Sequence, residues 1–260
     1  LLVTGSGPAG LSSAYAAAKN GAKVILAEDK PRFGGSLLTD NVTIDNLSGK
    51  AWTDKIITQL KEMPNVIVKN RSQVFGYYDH NMTVMIEKTG DHLKDKPKYV
   101  PRQRLWYIRA KEVILSTGSI ERPIVFGNND TPGVFLSAAA KEYIKVYGVL
   151  VGKKPLVFTN NDSGYETALE FKKHGVDPII LDTREEHSSE LINSAKNQNI
   201  KIKFASAVIA ANGYKKVKSA QIGKLNKDKT SFVNSETIEC DCICVSGFWT
   251  PTVHLASQSG

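Results

Sequence analysis

The stretch Leu1–Gly21, LLVTGSGPAGLSSAYAAAKNG, limits the possible folds of this chain more than any other. A short apolar run, Leu1 to Thr4, leads into Gly5-Ser6-Gly7-Pro8-Ala9-Gly10. The small residues from Pro8 to Asn20 then keep helical spacing, with Gly21 placed to end the helix. AKVILAEDK reads as a second, fully buried strand ending in Glu28 and Asp29, 18 residues beyond Gly10, and a Gly34-Gly35 turn follows. Strand, glycine turn, helix and strand make a βαβ crossover, and in that context the glycines have separate tasks. Gly5 permits the tight turn, Gly7 lets a pyrophosphate approach the backbone, and Gly10 lets the helix pack on the strand. The helix N-terminus offers N–H groups to the anion. Glu28 is placed to accept hydrogen bonds from an adenosine ribose. Its charge opposes a 2′-phosphate and favours NAD or FAD over NADP, while Lys30 and Arg32 nearby work against that preference.

Further along, the spacing predicts a helix over Thr53 to Met63 and a strand in NVIVKN. From Gln73 to Ala110, aromatic and β-branched segments separated by a charged loop predict an antiparallel meander. The strand EVILSTGSIERP then ends in Thr117-Gly118, where bare backbone can pass beside the same dinucleotide. After the helix in SAAAKEYIKVYG the order repeats. PLVF, DPIILD, IKIKF and CICVSG read as strands, with helices near 163–174 and 188–197 and antiparallel pieces around VKSAQIGKL. The expected fold is α/β, with two nested Rossmann-like (FAD/NAD(P)-binding) domains and an antiparallel meander. The first domain is expected over 1–125, completed by 236–260, and the second, degenerate one over 126–235.

In the second repeat, Asn160, Asn161 and Asp162 stand where the glycines should be. They are expected to form the turn in left-handed conformations, to fill the space a pyrophosphate needs, and to repel it through Asp162, which should also cap the next helix. The cofactor-binding candidates of the first repeat are Gly5, Gly7, Pro8, Ala9, Gly10, Glu28, Asp29, Gly35, Ser36, Val74, Thr117 and Gly118. No catalytic constellation and no metal site is legible. His80, in YYDHN, reads as a hydrogen-bonded loop histidine and His254, in TVHLASQ, as structural or interfacial. Cys240, Cys242 and Cys244 alternate along IECDCICVSG and are expected on one face of a strand, buried as small apolar residues.

The 260 residues carry a net charge of +8, but the basic residues are scattered, densest in DHLKDKPKYVPRQR and GYKKVKSAQIGKLNKDK. That distribution fits solvated faces or a protein interface and excludes a nucleic-acid partner. No apolar run reaches the roughly 18 residues of a membrane span and no signal peptide is visible, so no membrane role and a cytoplasmic location are expected. Leu1 lies already inside a strand and the final segment lacks a closing element, as expected of a piece of a longer polypeptide.

The glycine fingerprint and the STGSIERP strand end resemble the flavoproteins with two nucleotide-binding domains. GGSLL, VFGYYDHN, PRQRLWYIRAKEVILSTGSIERPIVFGNNDTPGV, VFTNNDSGYETALEF and VSGFWTPTVHLASQSG together resemble the α subunits of heterotetrameric sarcosine oxidases, over essentially the whole chain. That resemblance implies oxidative demethylation of sarcosine to glycine, with hydrogen peroxide and formaldehyde or methylene-tetrahydrofolate as products. It implies a β subunit carrying FAD, an FMN at the interface with that subunit, further oxidase subunits, and NAD held in this chain by Gly5, Gly7, Gly10, Glu28, Gly35, Thr117 and Gly118. Tetrahydrofolate would be served by a C-terminal half not in this sequence. Alternatives are FAD in place of NAD, a self-contained FAD-dependent NAD(P)H-linked reductase, an assembly module with a structural cofactor, and the α subunit of an amino-acid or opine dehydrogenase complex.

Overall fold

The computed structural model describes residues 1–95 and 97–259, which form two units, Leu1–Ser119 with Pro251–Gly260 and Ile120–Thr250. In the first unit β1 (Leu2–Thr4), α1 (Pro8–Lys19) and β2 (Val24–Ala27) make the crossover, followed by α2 (Gly49–Glu62) and β3 (Val66–Lys69). The meander β4 (Ser72–Tyr78), β5 (Met82–Lys88) and β6 (Gln103–Arg109) leads to β7 (Val113–Leu115). The parallel sheet runs β3-β2-β1-β7, so β1 lies between two strands and its carboxyl end is flanked on both sides. Val3, Leu11, Leu26, Trp52, Ile56 and Leu60 pack the helices onto this sheet. The second helix starts four residues earlier than Thr53, because the Ser48 hydroxyl accepts from the Ala51 N–H and caps it.

The second unit repeats the plan with β8 (Val134–Leu136), α3 (Ser137–Tyr147), β9 (Pro155–Thr159), α4 (Ser163–Lys173), β10 (Ile179–Asp182), α5 (Glu190–Asn197) and β11 (Lys201–Lys203). An antiparallel meander, β12 (Ser206–Asn212), β13 (Ser219–Leu225) and β14 (Phe232–Glu239), precedes β15 (Cys242–Ser246). The parallel sheet is ordered β8-β15-β9-β10-β11. Both faces are covered: Leu156, Phe158, Ile243 and Val245 enter one core, and Val157, Tyr165, Phe171, Cys242 and Cys244 the other.

Two expectations change here. The chain crosses between units after Ser119 and after Thr250, not near 125 and 235, because β14 pairs with β13 and β15 lies between β8 and β9. Only residues 251–260 rejoin the first unit. The three cysteines do not share a face either. Cys240 precedes the strand and packs in the core opposite to Cys242 and Cys244, since Cys240 and Asp241 lie between β14 and β15 and break the alternation.

Candidate functional site

At the carboxyl end of β1 the chain turns at Gly5, whose φ is +96° and where a Cβ would overlap the Ser116 carbonyl oxygen. A Cβ at Gly10 would overlap the Gly5 carbonyl oxygen, so the α1 start is held against the turn at a distance only glycine allows. Between them Ser6 is fully buried and acts as a clamp. Its backbone N–H and hydroxyl both donate to Glu28 Oε2, at 2.8 and 2.5 Å, while the Gly34 N–H donates to the Ser6 carbonyl at 3.1 Å. The Lys30 N–H donates to Glu28 Oε1 at 3.0 Å. Burial, and the Asp29 side chain beside it, push the Glu28 carboxyl above the ordinary range, and the Ser6 and Lys30 donors offset this only in part. Ser6 already fills the two lone pairs of Glu28 Oε2, so further acceptance falls to Oε1.

The neighbouring surface is bare backbone. Nothing lies within 4 Å of a Cβ added at Gly7 or at Gly118. Gly7 has an ordinary φ of −66° and no side chain caps α1, whose first residue, Pro8, has no N–H to satisfy. Gly35, at φ +53°, backs onto Gly7, where its Cβ would come within 3.0 Å of the Gly7 Cα. Pro8, Ala9, Asp29 and Ser36 are exposed around this floor. Thr117 is committed elsewhere: its hydroxyl donates to the Thr252 carbonyl at 2.8 Å, and the Thr252 N–H returns a bond to the Gly118 carbonyl at 2.9 Å. Val74 is buried in the core with Leu2 and Met85, so it could offer a ligand only its backbone. The structure thus gathers Gly5, Gly7, Gly10, Glu28 and Gly35 at one end of β1, with Ser116 and Thr117-Gly118 following the adjacent strand. Sequence reasoning gave no role to Ser6 or Thr252 and read Gly34 only as a turn residue. Their roles depend on hydrogen bonds to residues distant in the chain, for which the residue types carry no signal.

The equivalent end of β9 is closed by side chains. Asn161 Oδ1 accepts from the Ser163 N–H at 2.9 Å and from the Ser163 hydroxyl, and its Nδ2 donates to the Ser246 carbonyl at 3.1 Å. The Thr159 hydroxyl donates to the Asn161 carbonyl at 2.7 Å, and the Trp249 indole N–H to the Ser163 hydroxyl at 3.2 Å. This side-chain closure lets Asn160, Asn161 and Asp162 keep negative φ, so the expected left-handed turn does not form. Nor does Asp162 cap α4, having no capping bond; Asn161 takes that part. Asp162 instead pairs with Arg184 at 2.8 Å. Where the first turn has Gly10 the second has Tyr165, fully buried, its hydroxyl donating to Asp182 Oδ2 at 2.8 Å. The start of α3 is likewise taken, because buried Glu121 accepts from the Ala138 N–H at 2.7 Å. Burial raises the Glu121 carboxyl above its usual range despite the Ala138 N–H, the Ser246 hydroxyl and nearby Lys141.

His80, His254 and the three cysteines contribute no side chain to either turn. His80 is exposed and holds the left-handed position of the β4–β5 turn at φ 58°, and His254 is exposed, its carbonyl accepting from the Ser257 hydroxyl at 2.9 Å. All three thiols are buried and free; burial, then Cys242 nearby, push Cys240 up to about 12, and a hydrogen bond to Cys242 together with burial raises Cys244.

A parallel sheet with an open glycine floor and an acidic clamp beside an uncapped helix start defines a nucleotide-binding α/β protein. The chain belongs to the pyridine nucleotide-disulphide oxidoreductase family, whose pattern matches residues 1–260. It is 36% identical to the sarcosine oxidase alpha chain of Rhizobium meliloti (strain 1021), over 100% of this chain and 25% of that protein. It is 35% identical to the sarcosine oxidase alpha chain of Corynebacterium sp. (strain P-1), over 99% of this chain and 27% of the other. An opine oxidase subunit of Agrobacterium tumefaciens (strain Ach5) is 26% identical over 61% of this chain and 33% of its own length. The chain thus spans about a quarter of the length of the first two relatives. Among solved structures, L-proline dehydrogenase from P. horikoshii shares the fold with a TM-score of 0.71 at 21% identity, over 100% of this chain and 44% of that one. T. acidophilum thioredoxin reductase does so with 0.73 at 15%, over 100% and 80%. No helix among the described residues is long and apolar enough to cross a membrane.

Proposed function

We propose that this chain is the NAD-holding part of the α subunit of a sarcosine oxidase complex. The observation that carries the reading is the open floor at Gly7, walled by Gly35 and set at the uncapped start of α1, while the second turn is filled. A pyrophosphate fits there by charge and by room: the helix start favours an anion and the missing side chain at Gly7 lets it approach. Gly5, Gly7, Pro8, Ala9, Gly10, Gly35 and Ser36 would hold the pyrophosphate. Glu28 and Asp29 would meet the ribose, and Val74, Thr117 and Gly118 would supply backbone along the rest. Ser6 orients Glu28 and ties it to Gly34. When bound, NAD supplies a nicotinamide that exchanges a hydride, and FAD, which has the same pyrophosphate, supplies an isoalloxazine.

In the complex, sarcosine, oxygen and water give glycine, formaldehyde and hydrogen peroxide, with methylene-tetrahydrofolate replacing formaldehyde when folate is present. The amine would be oxidised at the FAD of the β subunit, with the electrons passed to an FMN at the interface, so no residue of this chain acts as the catalytic acid or base. The cytoplasm is the proposed location. The raised thiols speak against a disulfide-reducing role for this chain. Releasing the cofactor by heat and recording its spectrum tests the reading: ultraviolet absorption alone supports NAD, and a visible flavin band replaces NAD by FAD.

A further inference from the structure

Two walls of the first turn meet on a single hydroxyl. Ser6 Oγ donates to Glu28 Oε2 at 2.5 Å and accepts from the Gly34 N–H at 3.1 Å, and the same N–H also reaches the Ser6 carbonyl at 3.1 Å. The Ser6 backbone N–H takes the remaining lone pair of Oε2 at 2.8 Å. Glu28 is therefore held through one oxygen, while Oε1, which accepts from the Lys30 N–H at 3.0 Å, keeps a lone pair for a ligand. Gly34, at φ +120°, sets the course of the residue after it. Gly35 backs onto Gly7, where a Cβ on Gly35 would come within 3.0 Å of the Gly7 Cα. Ser6 is fully buried, so water does not compete for its hydroxyl.

A serine hydroxyl has one hydrogen to give, and an ionised carboxylate can only accept. The hydrogen thus points to Glu28 and the Gly34 N–H bonds to a lone pair of the same oxygen, a chain from Gly34 through Ser6 to Glu28 in which each bond polarises the next. We propose, on the reading of this turn as the dinucleotide site, that Ser6 is a positioning residue that couples its two halves, so that a ribose on Glu28 and a pyrophosphate on the Gly7 and Gly35 floor each strengthen the binding of the other. Ser6 lies beneath the floor and acts on a ligand only through its partners: it aims Oε1 by holding Oε2, and it steadies the Gly35 wall by holding Gly34. Without the hydroxyl, Glu28 Oε2 keeps only the Ser6 N–H and Gly34 only the Ser6 carbonyl, so the link between the walls through the side chain is gone.

The probe is ADP, which carries the adenosine ribose and the pyrophosphate common to NAD and FAD. It is titrated by calorimetry into the full chain after removal of bound nucleotide, beside AMP and the 2′,3′-dideoxy form of each. Ser6→Ala should weaken ADP about tenfold. In the parent the ribose hydroxyls should be worth at least about fivefold more on ADP than on AMP, and in Ser6→Ala they should be worth the same small factor on both, a non-additivity that a general loss of fold does not produce. Ser6→Cys keeps a weaker donor of similar shape and should show intermediate coupling, which preserves the test should the alanine variant unfold. No binding of ADP to the parent, or binding that survives Gly7→Val, removes the dinucleotide reading and this inference with it. Binding that Gly7→Val abolishes, with hydroxyls worth the same on ADP and AMP in the parent or with the difference persisting in Ser6→Ala, overturns the inference alone.

Discussion

The turns after β1 and β9 join a buried parallel strand to a helix in the same way, but they differ in what fills them. After β1, Gly5 and Gly10 bring helix and strand together, Gly7 leaves space, and Ser6 and Glu28 bond to each other below the floor. After β9, Asn161 closes the turn, Tyr165 fills the core beneath it, and Asp162 faces Arg184. The scaffold is therefore indifferent to binding. Openness is decided by a few side chains in the turn, and the turn after β9 is held together by the same polar groups that close it.

The largest effect should come from Gly10→Val. Its Cβ overlaps the Gly5 carbonyl oxygen, which cannot yield without moving β1, so about 3 kcal/mol or more of stability should be lost in urea unfolding. Gly7→Val sharpens the comparison, because its Cβ enters open space at an ordinary φ. Stability should stay within about 1 kcal/mol of the parent while the bound dinucleotide is lost on purification. Retained occupancy would remove the floor from the account.

In the second turn Tyr165→Phe takes one donor from fully buried Asp182, and unfolding should report a loss of about 1–3 kcal/mol with no change in cofactor content. The smallest effect concerns pH. Glu121 has a folded pKa above its unfolded one, so the folded chain holds the proton over a range where the unfolded chain releases it. Its contribution is fully present below the ordinary glutamate pKa of about 4.3 and is lost as pH rises through the folded value. Glu121→Gln keeps an acceptor for the Ala138 N–H and removes this loss. Thermal unfolding should find the variant gaining on the parent as pH rises across that window, then running parallel to it. A constant difference at all pH values would mean that Glu121 does not titrate in this way.

Much of this contrast is legible in the sequence because it is local. Leu1–Gly21 and Pro155–Ala168 show strand, turn and helix by period and composition, and the glycines after β1 mark close approaches of neighbouring backbone. What escapes is set at long range. The Ser6 to Glu28 clamp spans 22 residues, and the meeting of Arg184 with Asp162 depends on the register in which Thr159 pairs with Asp182. The place of Cys242–Ser246 between β8 and β9 moved the expected boundary from 236 to 251, since a strand buried on both faces does not say which sheet it joins. Asp162 suggested a helix cap by residue type, but Asn161 had already supplied the acceptor and Arg184 offered the aspartate a charged partner.

The central claim, one open turn and one closed, is tested most directly by counting adenine dinucleotide per chain after saturation and gel filtration, in the parent and in Gly7→Val. The account predicts one equivalent in the parent and none in the variant. Two equivalents in the parent, or one that survives Gly7→Val, would contradict it by showing that the turn after β9 binds as well or that the turn after β1 does not.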